Sequence, residues 1–273
     1  MAYATGKQFL NKAKLPLMWC SGCGNGITLS AMLRAIEELG YEKKDFVLVT
    51  GIGCWGKAGE FTTGNLLHTT HGRALPFAEG IAAANPELHV IVIMGDGDGA
   101  TIGGNHLIHA ARRNIDLTAI VVNNCNYGMT GGQMSALTPA NAITQTSVAG
   151  NPERAFDLCK LVEVAGANYV ARETAYQGLA LKTRIKEGLQ KRGFSMIEVI
   201  SPCTTLFGPR NQMKTPVQMM EMLKEKGVSV KKYNEIENAA EKGYYVTGKL
   251  VDRDEPDFMT RYKTVRQQMV QNK

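Results

Sequence analysis

No run in this sequence approaches the roughly 20 consecutive apolar residues that a helix needs to cross a bilayer, so a membrane span is not expected. Residues 1–17 hold no sustained apolar core, which argues against a secretory leader and for a cytoplasmic protein. Without a sign of export, the six cysteines are poor candidates for a disulfide framework. A second CxxC is missing, which excludes a zinc ribbon. Strong charge is missing too: 31 Lys and Arg against 25 Asp and Glu leave a net +6, spread along the chain. No basic stretch is interleaved with aromatics, so nucleic acid is not the expected partner. An acidic protein partner or plain solvation suits the lysines of the last third better. Internal repeats and low-complexity tracts are absent as well.

What is present suits one large α/β domain, or one domain with an appendage: 273 residues with 44% hydrophobic content. The chain is organised around residues 89–133, HVIVIMGDGDGATIGGNHLIHAARRNIDLTAIVVNNCNYGMTGGQ. Residues 89–94 are a short β-branched run, expected as a buried strand. It stops at Gly95-Asp96-Gly97-Asp98-Gly99, where the glycines let the backbone turn sharply and approach a ligand closely. Leu107, Ile108, Ala110 and Ala111 mark a short helix ending near Asn114. Residues 117–122 form a second buried strand, which ends at Asn123-Asn124. A right-handed crossover between parallel strands brings both carboxyl ends to one edge of the sheet. Asp96 and Asn124, 28 positions apart, therefore meet there.

A carboxylate and an amide oxygen framed by glycine turns suit magnesium, which combines one or two protein side chains with substrate phosphates. Asp96 would supply charge, Asn124 a neutral oxygen, and a backbone carbonyl at Asn126 a third ligand. A lone GDG is more often a solvated turn. Asn123-Asn124 and the glycine-rich turn 127–133 raise it to a cofactor site. GDGD followed by NNCNYGMTGGQ resembles the thiamine-diphosphate motif of the 2-oxoacid:ferredoxin oxidoreductases, in their cofactor-binding (beta) subunit. The likeness continues to about Arg210. It implies a doubly wound, mostly parallel α/β sheet. It also implies that Gly97, Asp98, Gly128 and Met129 line the diphosphate, with Ile52, Gly53, Cys54, Trp55 and His71 around the cofactor.

Cys20 and Cys23, in WCSGC, precede a helical pattern over residues 27–39. A thioredoxin-like redox pair would need a strand directly upstream, and residues 7–16 are polar and broken by lysines. Two ligands of a four-cysteine iron–sulfur site remain. Cys54 closes the turn after an expected strand over residues 45–50, and Cys203 follows another over residues 194–200. If those strands are parallel, both cysteines share the cofactor edge. The resemblance implies the same four, Cys20, Cys23, Cys54 and Cys203, as ligands of a [4Fe–4S] cluster. Cys125 and Cys159 read as small buried residues.

His71-Gly72-Arg73 lies just before a small-residue helix over residues 74–84, near its positive end. The resemblance gives His71 and Arg73 a site role there and places Lys57 near the substrate, whereas His68 reads as structural. Residues 130–150, with Ser135, Thr138, Pro139 and Asn141, form a long loop of a kind more often functional than idle. Asn151 and Pro152 are expected to open a helix over residues 152–164. A strand over residues 168–172 and a helix over residues 174–191 complete the winding. The composition changes after Arg210. Residues 1–210 are expected to be the cofactor domain and residues 211–273 a subunit-contacting extension, with a methionine-rich helix over residues 215–226 and short extended runs over residues 244–257.

The resemblance further implies oxidative decarboxylation of a 2-oxoacid with thiamine diphosphate, transfer of the acyl group to coenzyme A, and passage of electrons through the cluster to ferredoxin, or the reverse carboxylation. The Thr-Gly-Gly-Gln turn and the Cys20–Cys23 context look most like the 2-oxoglutarate members. Pyruvate or branched-chain 2-oxoacids are the alternative. Lys57 or Arg73 could meet the side-chain carboxylate of 2-oxoglutarate. The glutamate that activates the cofactor in thiamine enzymes has no candidate here, which implies partner alpha subunits (or alpha/gamma plus delta) and an inactive chain in isolation. A non-oxidative thiamine lyase would have no use for four ligating cysteines. A non-catalytic nucleotide or zinc module would bind metal without thiamine.

Overall fold

The computed structural model describes residues 5–271. One sheet of eight strands runs through it in the order β2-β1-β3-β4-β6-β5-β8-β7. Five strands are parallel and buried almost throughout: β1 (Phe46–Thr50), β3 (His89–Gly95), β4 (Leu117–Asn123), β5 (Tyr169–Thr174) and β6 (Phe194–Ile200). In β1, β3 and β4 the sequence is a near-continuous apolar run because helices cover both faces, while β5 and β6 also bury Arg172, Glu173 and Glu198. Alternate side chains go to opposite layers. Val47, Val49, Val90, Val92, Ala119 and Val121 pack with α2 (Ala74–Ala84), α3 (Gly104–Arg113) and α4 (Leu158–Ala165). Phe46, Leu48, Ile91, Ile93, Ile120 and Val122 pack with α1 (Asn25–Glu38) and α5 (Gly178–Gln190).

Strand order fixes where a ligand can enter. After β1 the chain passes through the helical segment Trp55–Phe61 on the α1 face to β2 (Asn65–His68), on the outer side of β1. After β3 it crosses to α3 on the other face. The two connections diverge, and in open α/β sheets that divergence opens the binding crevice at the carboxyl ends of the strands.

Three local differences from the sequence reading have physical causes. The helix expected from residue 152 begins only at Leu158, capped by Asp157. Asn151 is turned inward instead, donating to the Thr138 carbonyl and accepting the Glu153 N–H, so it pins the preceding loop. Residues 65–68, Asn-Leu-Leu-His, form the short edge strand β2, whose apolar pair is too short to announce it. The tail beyond the short α6 (Phe207–Arg210) and the boxed α7 (Pro216–Lys226) adds β7 (Gly227–Ser229) and β8 (Tyr245–Asp252) to the same sheet. There β8 pairs antiparallel with β5. The remaining helices are α8 (Val230–Glu235) and α9 (Phe258–Gln271). No helix among the described residues is long and apolar enough to cross a membrane.

Candidate functional site

The carboxyl ends of β1, β3 and β4 close around a cleft lined by Ile52, Gly53, Cys54, Trp55, His71, Asp96, Gly97, Asp98, Asn124, Asn126, Gly128 and Met129, together with Tyr127 and Thr130. Asp96 follows the last residue of β3 and is 1% exposed. Burial pushes its carboxyl up to about 7, although the Ser135 hydroxyl and the backbone N–H groups of Gly97 and Asn124 oppose the shift. Ser135 donates to Oδ2 at 2.5 Å. An anion held there is costly unless a cation shares the site.

The neighbouring oxygens match that need. Asn124 Oδ1 accepts the Asn126 N–H at 3.2 Å, and Asn126 Oδ1 is buried with no hydrogen-bond partner. A methyl group placed on Gly128 would stand 3.3 Å from Asn124 Nδ2, 3.5 Å from Cys54 Sγ and 3.6 Å from Asn126 Oδ1. These groups therefore converge on the space beside Gly128, where a side chain would press on Asn124. One carboxylate, amide oxygens and a tight turn of backbone form a hard-donor set that fits magnesium and a diphosphate. Among the described residues, no three His, Cys, Asp or Glu side chains converge as the ligands of one metal ion would.

Asp98 lines the cleft and also ties its walls together. Its Oδ1 accepts the backbone N–H of Gly72 at 2.7 Å and of Ile52 at 3.2 Å, and contacts His71 Nδ1 at 2.6 Å. The carboxylate thus fastens the turns after β1 and β2 to the turn after β3. Burial raises its pKa, against those donors. Tyr127 completes the floor. Its hydroxyl donates to the Gly97 carbonyl at 3.1 Å, and its ring meets His71 edge-on at 5.9 Å. A Cβ on Gly97 would sit 2.4 Å from that ring, so the π-helical turn Gly97–Ile102 must start with glycine.

The four cysteines of the sequence argument gather on the adjoining rim. Cys20 and Cys203 both contact the Thr205 hydroxyl, at 3.8 Å and 3.5 Å. Trp19 Nε1 donates to the Cys54 carbonyl at 2.7 Å, joining the CxxC loop to the turn after β1. Burial raises the Cys23 thiol, and the nearby Cys203 and Cys20 add to the rise. Burial pushes Cys54 to about 11, with Cys203, Cys23 and Cys20 contributing in that order. Such thiols ionise readily only with a metal or cluster on the sulfurs. The Cys203 N–H donates to the Asn124 carbonyl at 3.0 Å, so the cysteine rim and the amide turn share one hydrogen bond. Cys125 and Cys159 are buried.

Two expected substrate contacts do not line the cleft. Lys57 is paired with Glu60 at 2.5 Å, and Arg73 donates to the Gly72 and Ile102 carbonyls. For several residues that shape the site, the sequence names the segment but not the contact. Ser135 reaches Asp96 across 39 positions, and Thr138 Oγ1 donates to the Cys125 carbonyl at 2.7 Å. Asn123 donates to Glu198 at 2.9 Å and accepts the Cys125 N–H, which sets the turn carrying Asn124. Only the length of the loop over residues 130–150 hinted at its part.

Comparison with known proteins agrees with the fold and with a thiamine-binding domain. The family model "Thiamine pyrophosphate enzyme, C-terminal TPP binding domain" matches residues 51–199. The 2-oxoglutarate synthase subunit KorB of Methanothermobacter marburgensis is 45% identical over 93% of this chain and 89% of its own. That of Archaeoglobus fulgidus is 51% identical over 80% of this chain and 79% of its own. Among solved structures, a 2-oxoglutarate:ferredoxin oxidoreductase from Magnetococcus marinus, with 2-oxoglutarate, coenzyme A and succinyl-CoA bound, superposes with a TM-score of 0.85 at 27% identity, covering 98% of this chain and 92% of that one. With a cofactor-domain match over more than half its length and relatives aligned over most of theirs, the chain belongs to the thiamine pyrophosphate enzymes and, within them, to the KorB family of 2-oxoglutarate synthase subunits.

Proposed function

We propose that this chain is the thiamine-diphosphate-binding catalytic subunit of a 2-oxoglutarate synthase. The reaction joins 2-oxoglutarate and coenzyme A to give succinyl-CoA and carbon dioxide, or runs in reverse, with ferredoxin as the electron partner. One observation carries the reading: Asp96, Asn124 and Asn126 share a rim with Cys54, in a chain 45–51% identical to 2-oxoglutarate synthase subunits.

In this reading the Asp96 carboxylate, the Asn124 side chain and the Asn126 carbonyl hold Mg²⁺. Gly97, Gly128 and Met129 border the diphosphate, while Ile52 and Trp55 exclude water. Thiamine diphosphate, when bound, supplies the carbon nucleophile that lets a 2-oxoacid lose carbon dioxide. Asp98 holds the three turns in register around it. Because Asp98 engages Nδ1 of His71, Nε2 is the ring atom available to hold or pass a proton in the cleft. Cys20, Cys23, Cys54 and Cys203 ligate a [4Fe–4S] cluster. Its place beside the cofactor keeps the electron path short. Lys57 and Arg73 lie outside the lining, which leaves recognition of the side-chain carboxylate to residues supplied by a partner subunit. A cytoplasmic location goes with coenzyme A and ferredoxin as partners.

Co-expression with the companion subunits and anaerobic purification test this. The expected protein absorbs broadly in the visible, bleaches on reduction, carries thiamine diphosphate, and reduces ferredoxin with 2-oxoglutarate and coenzyme A faster than with pyruvate. A colourless or zinc-only anaerobic preparation would overturn the oxidoreductase assignment. Preference for pyruvate would overturn the substrate.

A further inference from the structure

The last helix, α9, buries none of its residues. Tyr262, Val265, Met269 and Val270 are 47–76% exposed. A lone helix of 14 residues is marginal in water, since nucleation is costly and most helical stability comes from packing an apolar face. Its start is well made: Asp257 accepts the N–H groups of Met259 and Thr260 and the Thr260 hydroxyl. Phe258 packs against the main core and stacks on Tyr262 at 6.1 Å. Beyond that anchor, Met259 is half-buried and Arg261 Nη2 donates to the Arg113 carbonyl at 2.6 Å, while residues 262–271 are exposed.

Its side chains are ordered around the axis. Phe258, Tyr262, Val265 and Met269 recur at spacings of four, three and four, which puts them in one stripe spanning roughly 60° of arc. Arg261 flanks the stripe on one side and Arg266 on the other, with Arg266 over the Tyr262 ring at 5.8 Å. Lys263 adds a third positive charge, and residues 258–271 contain no Asp or Glu. Two copies of α9 meeting through their stripes would bring the four flanking arginines together, which disfavours self-pairing. The complement of this surface is an apolar groove with acidic rims, the arrangement in which amphipathic helices dock.

We propose that α9 is a docking helix by which this chain enters an apolar, acid-rimmed groove of a companion subunit of the same enzyme. The proposal rests on the multisubunit reading above, but its test measures assembly and not turnover. The full chain is co-expressed with its companion subunits, as wild type, as Val265→Glu/Met269→Glu and as Arg261→Glu/Arg266→Glu. The Val265→Glu/Met269→Glu variant should leave the melting temperature and thiamine diphosphate binding of the isolated chain unchanged, since these side chains are exposed. Arg261→Glu/Arg266→Glu also loses the Arg261 bond to the Arg113 carbonyl and should lower the melting temperature while leaving thiamine diphosphate binding unchanged. Both should weaken association with the companion subunit at least tenfold by native mass spectrometry or sedimentation. Backbone amides of α9 should exchange rapidly in the isolated chain and become protected in the complex. Unaltered association in both variants overturns the proposal, as does a homodimer of the isolated chain that the substitutions abolish. If thiamine diphosphate fails to bind while assembly still depends on α9, the functional reading falls and the docking helix stands.

Discussion

Asp96 combines deep burial with a carboxyl pushed up to about 7, an arrangement that a bound divalent cation relieves. Asp96→Ala should therefore empty the thiamine site while leaving iron in place, because a donor is lost and not the fold. Changes to groups that only orient metal ligands already cost roughly 10–100-fold in affinity, so the first donor should cost no less. Equilibrium dialysis with thiamine diphosphate and Mg²⁺, alongside iron analysis, checks it. Ser135→Ala removes the hydroxyl bonded to Asp96 Oδ2 and should weaken cofactor binding by roughly 10-fold, at the lower end of that range. Glu173 makes a different prediction. It is 4% exposed, burial raises its pKa to about 7 with Glu187 adding and Arg184 opposing, and Arg184 Nε lies 4.0 Å away. Its folded pKa exceeds the unfolded value, so its contribution to stability is full at low pH and is lost as pH rises through about 7. Glu173→Gln removes that loss. Urea unfolding should show a gain of up to roughly 3 kcal/mol at pH 8 and little change at pH 5. Equal gains at both pH values would contradict the assignment.

At the scale of elements, the parallel strands were legible because burial on both faces favours mostly apolar runs rich in β-branched residues, clearest in β1, β3 and β4. The strand over residues 194–200 agrees with the sequence reading to the residue. The cysteine turns were legible for the same reason, since parallel strands carry their ends to one edge. What stayed hidden depends on contacts across long separations. Ser135 meets Asp96, and β8 pairs with β5 from a polar tail, and no local pattern encodes either partner. Buried charge under the sheet was equally unreadable. Arg172 of β5 donates to Glu198 of β6 at 2.7 Å and to Asp157 before α4 at 2.6 Å, and Glu198 also accepts from Asn123 of β4. This network crosses three strands and ends at the turn carrying Asn124. Removing one member of a buried ion pair costs about 3–5 kcal/mol. Glu198→Ala should destabilise the chain by that order in denaturant melts and loosen cofactor binding along with it. A loss under about 1 kcal/mol would mean that the sheet holds the turn unaided.

Across the whole molecule, one edge of the sheet carries two chemically unlike groups, oxygens and sulfurs, and the cofactor roles proposed for them predict that each can be lost separately. The oxygens belong to turns after β3 and β4, and the sulfurs to the α1 approach and the turns after β1 and β6. They join through the Cys203 N–H, which bonds the Asn124 carbonyl, while the Trp19 indole N–H ties the CxxC loop to the Cys54 carbonyl. Side-chain sulfur can therefore be removed with both joints intact. Cys54→Ala and Cys203→Ala should each drop iron and visible absorption to background in anaerobic preparations. Each should retain thiamine diphosphate, since neither substitution touches the Asp96, Asn124 or Asn126 oxygens. Ferredoxin reduction should vanish with the iron, because the electrons then have no relay on this rim. Full iron retention in Cys203→Ala would remove that cysteine from the ligand set. Loss of thiamine diphosphate together with iron would show that the sulfurs support the cofactor turn directly, and that the two donor sets form one cooperative unit.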